Sequence, residues 1–370
     1  MVLAMAPCDF REGVRFCYQS AVEYGIIEGM QMREYKIGRT VFGSVAAISA
    51  AYEAFCQQEV DEVRLAPDRA SPFPDRRRTL AGESSVAGVG TFMRGEKQTI
   101  TFAPSERPGW WIRRMDQPEQ LDTKVDISNL WTSAQNLVLR SGSPHNYLRM
   151  VEHIIALKAG LGVDDVLLKV KSGDPPLFDQ SSLPLIKAVE HAKIVETAAD
   201  ATYVTVKEPV AFGGKRGDFL LFLPAENGEK NLRIDCAISW TTVIGKQRVL
   251  FDVTPETFRY ASLARTNATR KQYVLAKTVG KLFAATRNWG YDEKNILIHG
   301  RGRYYTEPRF PVNGKFLEPV WHRATLDLMA ALSLTGADRF VGTVVSFRAG
   351  HTLDCDAVRA LYRNDLICSI

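Results

Sequence analysis

Met150-Val-Glu-His-Ile-Ile-Ala-Leu-Lys-Ala-Gly-Leu-Gly162 is the stretch on which the reading of the fold turns. Apart from Glu152, His153 and Lys158 it is apolar or small, so it reads as a buried helix rather than a surface one. Gly160 and Gly162 supply the glycine stop expected at a helix C-terminus, and the spacing predicts a start near Asn146. Short strand patterns precede it at Val86–Gly90, Gln98–Phe102 and Trp110–Arg113. A strand at Val166–Val170 and a second helix at Leu183–Ala192 follow it. A sheet and a helix pair thus occupy one half of the chain.

The other half repeats that texture. Tyr203–Val206, Phe219–Phe222, Leu232–Ile234, Arg248–Phe251, Ile296–His299 and Val341–Arg348 read as extended. Pro255–Ala261, Lys271–Ala285, Trp321–Leu334 and Asp354–Tyr362 read as helical. The expectation is an α+β protein of two similarly built domains, residues 76–195 and 196–370. Each is a sheet layered with a helix pair, and together they form a β-α-α-β sandwich. No strand is followed by a GxGxxG turn and a helix, which argues against a dinucleotide fold.

Residues 1–75 differ from both halves. Phe10–Tyr24 and Val41–Val60 carry apolar residues at helical intervals, separated by Gly25 and Gly29. Ala66–Asp75 then holds Pro67, Pro72 and Pro74, too many for a helix interior or a central strand. The region is expected to be a helical N-terminal extension with a Pro-rich linker, a packing accessory or a surface for a protein partner.

Bulk properties narrow the function classes. The chain has 370 residues, 45% hydrophobic and 24% charged, with a formal net charge of +5. That mild excess suits an anionic small molecule and is too weak to point to nucleic acid. Six dispersed cysteines (8, 17, 56, 236, 355 and 368) form no CxxC pair, so neither a disulfide framework nor a thiolate zinc site is expected. The apolar run Val41–Phe55 is too short for a membrane span and contains Glu53. A soluble, cytoplasmic protein is the expectation.

Three of the six histidines have chemical context. Glu152–His153 places an acid beside an imidazole on an apolar helix, which a bound metal would reconcile with burial. By spacing alone the signal is weak, and a surface Glu–His pair is the better reading. His322 and Asp327 stand five apart, about 140° around a regular α-helix. They can chelate together only through a π-bulge, or if the helix begins after His322. His351 follows Gly350 just past a strand, a reasonable place for a general acid. His145, His191 and His299 read as structural or surface residues, and Arg348 reads equally as a solvated surface charge.

Several segments, in order, resemble the UDP-3-O-acyl-N-acetylglucosamine deacetylases, the zinc deacetylases of lipid A biosynthesis. They are Gly88–Phe102, Val151–Gly162, Asp174–Pro184, Gly245–Thr266, Glu318–His322, Leu326–Asp327 and Gly350–His351. The resemblance covers about residues 78–370. It implies a Zn2+ ion held by His153, His322 and Asp327, with Glu152 as general base on the attacking water. It further implies that Thr266 stabilises the oxyanion, that His351 is the general acid, and that Arg323 stands for a catalytic lysine. Arg348 and Asn267 fall at substrate-binding positions, Arg348 where a lysine contacts the nucleotide diphosphate. The implied substrate is an acylated UDP-amino sugar that loses its N-acetyl group. A homologue with impaired catalysis and a binding role is the alternative. This chain departs from the pattern at the extra residue between His322 and Asp327, at Ala331 where an aspartate is usual, at Thr91–Gly95, and at Asn267.

Overall fold

Two mixed sheets carry the apolar runs in the computed structural model, which describes residues 35–92, 96–117, 119, 121–278 and 290–370. The first has six strands in the order Pro176–Leu177, Ser84–Gly90, Lys97–Pro104, Val166–Val170, Trp110–Arg114, Thr123–Lys124. Its strands alternate. In Lys97–Pro104, Gln98, Ile100 and Phe102 are buried while Thr99 and Thr101 are less so. One face therefore packs and the other faces outward.

The second sheet has seven strands, ordered Arg39–Phe42, Val210–Gly213, Phe219–Leu223, Gly342–Phe347, Leu232–Ser239, Lys246–Asp252, Glu62–Arg64. Its central strand Gly342–Phe347 is buried at every position, which requires cover on both faces.

Helices supply that cover. In chain order they are α1 (Val45–Cys56), α2 (Glu152–Leu161), α3 (Leu183–His191), α4 (Pro255–Ala261), α5 (Arg270–Lys277), α6 (Glu318–His322), α7 (Met329–Ser333) and α8 (His351–Arg363). A π-helical turn, Arg323–Leu328, joins α6 to α7. Helix α2 packs against α7, so helices from the two halves meet. Gly160 on α2 lies so close to the Phe258 ring of α4 that a Cβ there would stand 2.2 Å from it. Gly162 closes α2 in the left-handed region at φ +59. Among the described residues a large apolar cluster runs from Leu80 to Leu366 and includes the fully buried Trp110, Phe251 and Trp321, with a smaller one around Phe92, Met150 and Ile298.

The α+β class agrees with expectation, and most strands lie within two residues of their sequence positions. Residues Ile37–Ile370 form one compact unit. The N-terminal reading needs correction. The predicted helix Phe10–Tyr24 lies outside the described residues, as does the end of Lys271–Ala285. Val41–Val60 is not one helix. Arg39–Phe42 pairs in parallel with Val210–Phe212, and Gly43 then turns at φ +96 against Gly213. Ser44 caps α1 by accepting from the Ala47 N–H. Glu62–Arg64 pairs in parallel with Val249–Phe251. Residues 39–64 thus form both edges of the second sheet, and α1 packs Phe55 against Phe219 and Phe347. Strand propensity at Arg39–Phe42 was hidden because the apolar run continues through it into α1.

Candidate active site

The site begins where α2 begins. Helix was expected from Asn146, but Tyr147–Arg149 pairs antiparallel with Val138–Arg140. Met150, at φ 49, ends that strand, and Val151 precedes the first helical residue, Glu152. Glu152 is therefore forced into the interior, 3% exposed, where its Oε2 accepts from the Leu137 N–H at 3.1 Å. Burial pushes its carboxyl above the ordinary range, against the opposing pull of His351.

His153 follows on the same turn. Its Nε2 stands 3.0 Å from Thr266 Oγ1 and 3.3 Å from His322 Nε2. Thr266 Oγ1 is 3.2 Å from the same His322 nitrogen. Burial, and then His322, push the His153 imidazole down to about 3, so it is neutral at ordinary pH. Thr266 is held in place by a buried ion pair: Arg265 donates to both carboxylate oxygens of Glu318, at 2.8 and 3.0 Å. This pair locks the Thr266 segment to the start of α6, four residues before His322. Sequence reasoning did not single it out, although both residues lie in segments that carry the resemblance.

The π-helical turn resolves the spacing of His322 and Asp327. An i→i+5 turn replaces the regular α turn, so residues five apart come onto one side. His322 Nδ1 lies 3.5 Å from Asp327 Oδ1, and His351 Nε2 lies 3.6 Å from the same oxygen. Thr325, the buried middle of the turn, donates from Oγ1 to the Trp321 carbonyl at 2.5 Å. Burial alone would raise the Asp327 carboxyl. The imidazoles of His322 and His351 outweigh it and hold the group well below the usual carboxylate range. Burial likewise favours neutral His351, but Asp327 and Glu152 raise it above its ordinary value.

The expected constellation is therefore largely brought together: Glu152, His153, Thr266, His322, Asp327 and His351 share one cluster. Arg323 is the exception. The π turn directs it away from the cluster into the core, where Nε donates to the Ala349 carbonyl at 2.8 Å and Nη2 to Asp354 Oδ1 at 2.5 Å. With 6% exposure it cannot stand where a lysine would reach substrate. Arg348 is exposed, at φ 54, three residues before His351. Asn267 is half-buried and opens a short strand paired with Leu297. Of the remaining histidines, His145 and His191 are exposed, while His299 is buried against Trp240. A small recess beside His153 and Thr266 is lined by the apolar Met150, Ile154, Leu177, Phe178 and Leu185.

Donor chemistry at this cluster fits zinc. Two imidazoles turn their Nε2 atoms toward each other, an arrangement that a shared cation would stabilise. Asp327 Oδ1 is buried with no hydrogen-bond partner. Neutral His153 and ionised Asp327 are the protonation states a metal ligand needs. Asp327 faces the Nδ1 side of His322, and no three His, Cys, Asp or Glu groups among the described residues form a closed metal cage.

Comparison with known proteins places the chain in a family. UDP-3-O-acyl-N-acetylglucosamine deacetylases from Brucella ovis, Brucella canis and Brucella melitensis biotype 2 are each 25% identical over 295 residues. The matches cover 78% of this chain and 96% of each relative. The model of the UDP-3-O-acyl N-acetylglycosamine deacetylase family matches residues 77–363, which takes in every residue of the cluster. That span is well over half of the chain, and the protein belongs to this family.

Proposed function

We propose that the protein is a zinc-dependent amidohydrolase that removes the N-acetyl group from an acylated UDP-amino sugar. The observation that carries this reading is the meeting of Glu152, His153, Thr266, His322, Asp327 and His351, drawn from four separate parts of the chain. His153, His322 and Asp327 are the residues that would hold the ion. Bound zinc supplies a Lewis acid and lowers the pKa of water toward 7.

Glu152 is suited to take the proton from the attacking water. It is buried and its carboxyl is raised by that burial, which strengthens it as a base. The Thr266 hydroxyl, beside both imidazoles, donates to the oxygen that becomes negative as the acetyl carbon turns tetrahedral. His351, whose imidazole Asp327 and Glu152 raise above its ordinary value against the opposing effect of burial, delivers a proton to the departing amine nitrogen. The apolar recess beside His153 receives the acetyl methyl or the start of an acyl chain. Arg348, exposed ahead of His351, takes the diphosphate, and half-buried Asn267 borders the sugar.

Among the described residues no helix is long and apolar enough to cross a membrane. The free cysteines 56, 236, 355 and 368 support a cytoplasmic location.

The second reading, a homologue that binds but turns over poorly, draws on the burial of Arg323 and on Ala331. Zinc content separates the two. Protein purified without a histidine tag is expected to hold one zinc per chain, and His153→Ala to lose it. Absence of zinc under metal-replete conditions contradicts the enzyme reading.

A further inference from the structure

Between Thr257 and Tyr291 the sequence holds seven lysines and arginines and no aspartate or glutamate. Strand Asn267–Thr269 within this run pairs in parallel with Leu297–His299. The segments that follow, α5 from Arg270 and the turn Gly300–Arg303, therefore leave the same end of the two strands. Arg270, Lys271, Arg301 and Arg303 are all exposed there. None of the four forms an ion pair with a carboxylate among the described residues. Two of them crowd one ring. The guanidinium carbons of Arg270 and Arg303 lie 4.6 and 4.8 Å from the centroid of Tyr305, itself 38% exposed.

Helix α5 is charged against its own electrostatics. A helix N-terminus favours carboxylates and disfavours cations, yet the first turn holds Arg270 and Lys271 and no acid. Local stability does not explain that placement. The inward side of α5 is narrow: Ala276 is buried, with Tyr273 and Lys277 half-buried beside it. On the outward side Arg270 precedes Val274 by four residues and Lys271 precedes Leu275 by four. Cations and apolar side chains thus share one face. Val274 is 49% exposed and Leu275 51%. Burial, and then the carboxylates of Glu293 and Asp292, raise the Tyr273 phenol, so these acids stand on the Tyr273 side of the helix. They do not neutralise the outward face.

Cations alone would serve any phosphate-bearing ligand. The adjacent Val274 and Leu275 narrow the choice, because a nucleic-acid backbone or a small phosphate offers them no apolar partner. A lipid surface offers both chemistries, anionic headgroups over an apolar layer. We propose that this face docks the protein on a bilayer that contains anionic phospholipids. Arg270, Lys271, Arg301 and Arg303 meet the headgroup phosphates, while Val274, Leu275 and the Tyr305 ring enter the boundary beneath them. The attachment is peripheral and lies in the plane of the surface. Strand Asn267–Thr269 begins next to Thr266, so only this short strand separates α5 from the candidate active site.

The test is co-sedimentation of the full chain with phosphatidylcholine vesicles, plain or containing about 30% phosphatidylglycerol to make the surface anionic. Wild type is expected to pellet with the anionic vesicles, to stay in solution with the neutral ones, and to be released by high salt. Arg270→Gln/Lys271→Gln should lower the partition coefficient about fivefold for each charge removed. Val274→Gln/Leu275→Gln keeps every charge and should lower it about tenfold. Urea unfolding at the wild-type midpoint shows that each variant folds. If the first pair disturbs α5, Arg301→Gln/Arg303→Gln, outside any helix, replaces it with the same expected loss. No pelleting with anionic vesicles overturns the proposal. So does undiminished pelleting of Val274→Gln/Leu275→Gln, which assigns the face to free phosphates or nucleic acid. Vesicle binding is measured without turnover, so failure here leaves the hydrolase reading untouched.

Discussion

Glu152 illustrates the residue scale. A carboxylate at 3% exposure with one backbone donor is costly unless something else in the site uses its charge. The proposed general-base role accounts for the cost. Glu152→Gln keeps the size and the acceptor for Leu137 N–H but removes the basicity. Acetate release should fall by about 10²–10⁴, the range for losing general acid–base catalysis, with zinc retained. Turnover unchanged in that variant would show that the base is elsewhere. At this scale the sequence made the identities of the clustered residues legible through ordered motifs. It left the direction of Arg323 hidden. Which way a side chain leaves a helix depends on helical phase, and one inserted residue inverted it. Arg323 beside His322 therefore looked like a site residue and proved to be a core one.

At the scale of elements, the π turn Arg323–Leu328 is decisive. It absorbs the extra residue, so His322 and Asp327 meet although a regular helix would separate them. Deleting Thr325 restores the ordinary spacing on paper. Here it should do harm: it removes the i→i+5 turn and rotates either the His322 side or the Asp327 side out of the cluster. Zinc affinity measured by chelator competition is expected to drop at least tenfold, by analogy with altered ligand support. Tighter binding in the deletion would mean that the turn is a defect. The spacing in the sequence allowed this outcome but could not choose it, because a π turn has no composition signature and depends on packing around Thr325, which is fully buried.

Helix α2 offers a second test at this scale. Its last-turn Lys158 is buried and donates to the carbonyls of Gly336 at 2.5 Å and Asp338 at 3.2 Å. Burial pushes its ammonium down to about 8. The unfolded chain keeps an ordinary lysine near about 10.4, so between these values the unfolded state binds more protons. The penalty is present in full below pH 8 and is relieved as pH rises toward 10.4. Wild type should therefore gain stability relative to Lys158→Met over that interval, measured by urea unfolding at each pH. A stability difference that stays constant would show that Lys158 keeps an ordinary affinity for its proton. The sequence placed this lysine on a buried helix, but its carbonyl partners lie nearly 180 residues away and could not be read from local pattern.

Across the whole molecule, the segment 39–64 ties the chain's start to its second sheet. It occupies both edges, which would otherwise offer unpaired backbone groups, and α1 covers one face. Arg248 anchors it from the sheet by donating to the carbonyls of Phe55 at 3.2 Å and Gln58 at 2.9 Å, while its ion pair with Asp235 is almost wholly buried. Glu62 accepts from the indole N–H of Trp321 at 2.8 Å, next to His322, so the segment also touches the helix that bears a candidate ligand. Phe55→Ala should cost about 3–5 kcal/mol, as for other fully buried aromatics, and lower Tm by several degrees. A shift of less than a degree would mean that α1 is dispensable to the sheet. The α+β class and the position of most strands were legible because alternation and apolar runs report burial directly. The integration of residues 39–64 was not, since parallel pairing with strands roughly 170 to 190 residues later leaves no local trace.

The central proposal is that the buried cluster hydrolyses an acetamide. The direct measurement is acetate release from an acylated UDP-N-acetylglucosamine by purified wild-type protein, with and without a zinc chelator. The account predicts turnover that the chelator abolishes and added Zn2+ restores. Failure of the zinc-loaded protein to release acetate, or release indifferent to zinc removal, would contradict it.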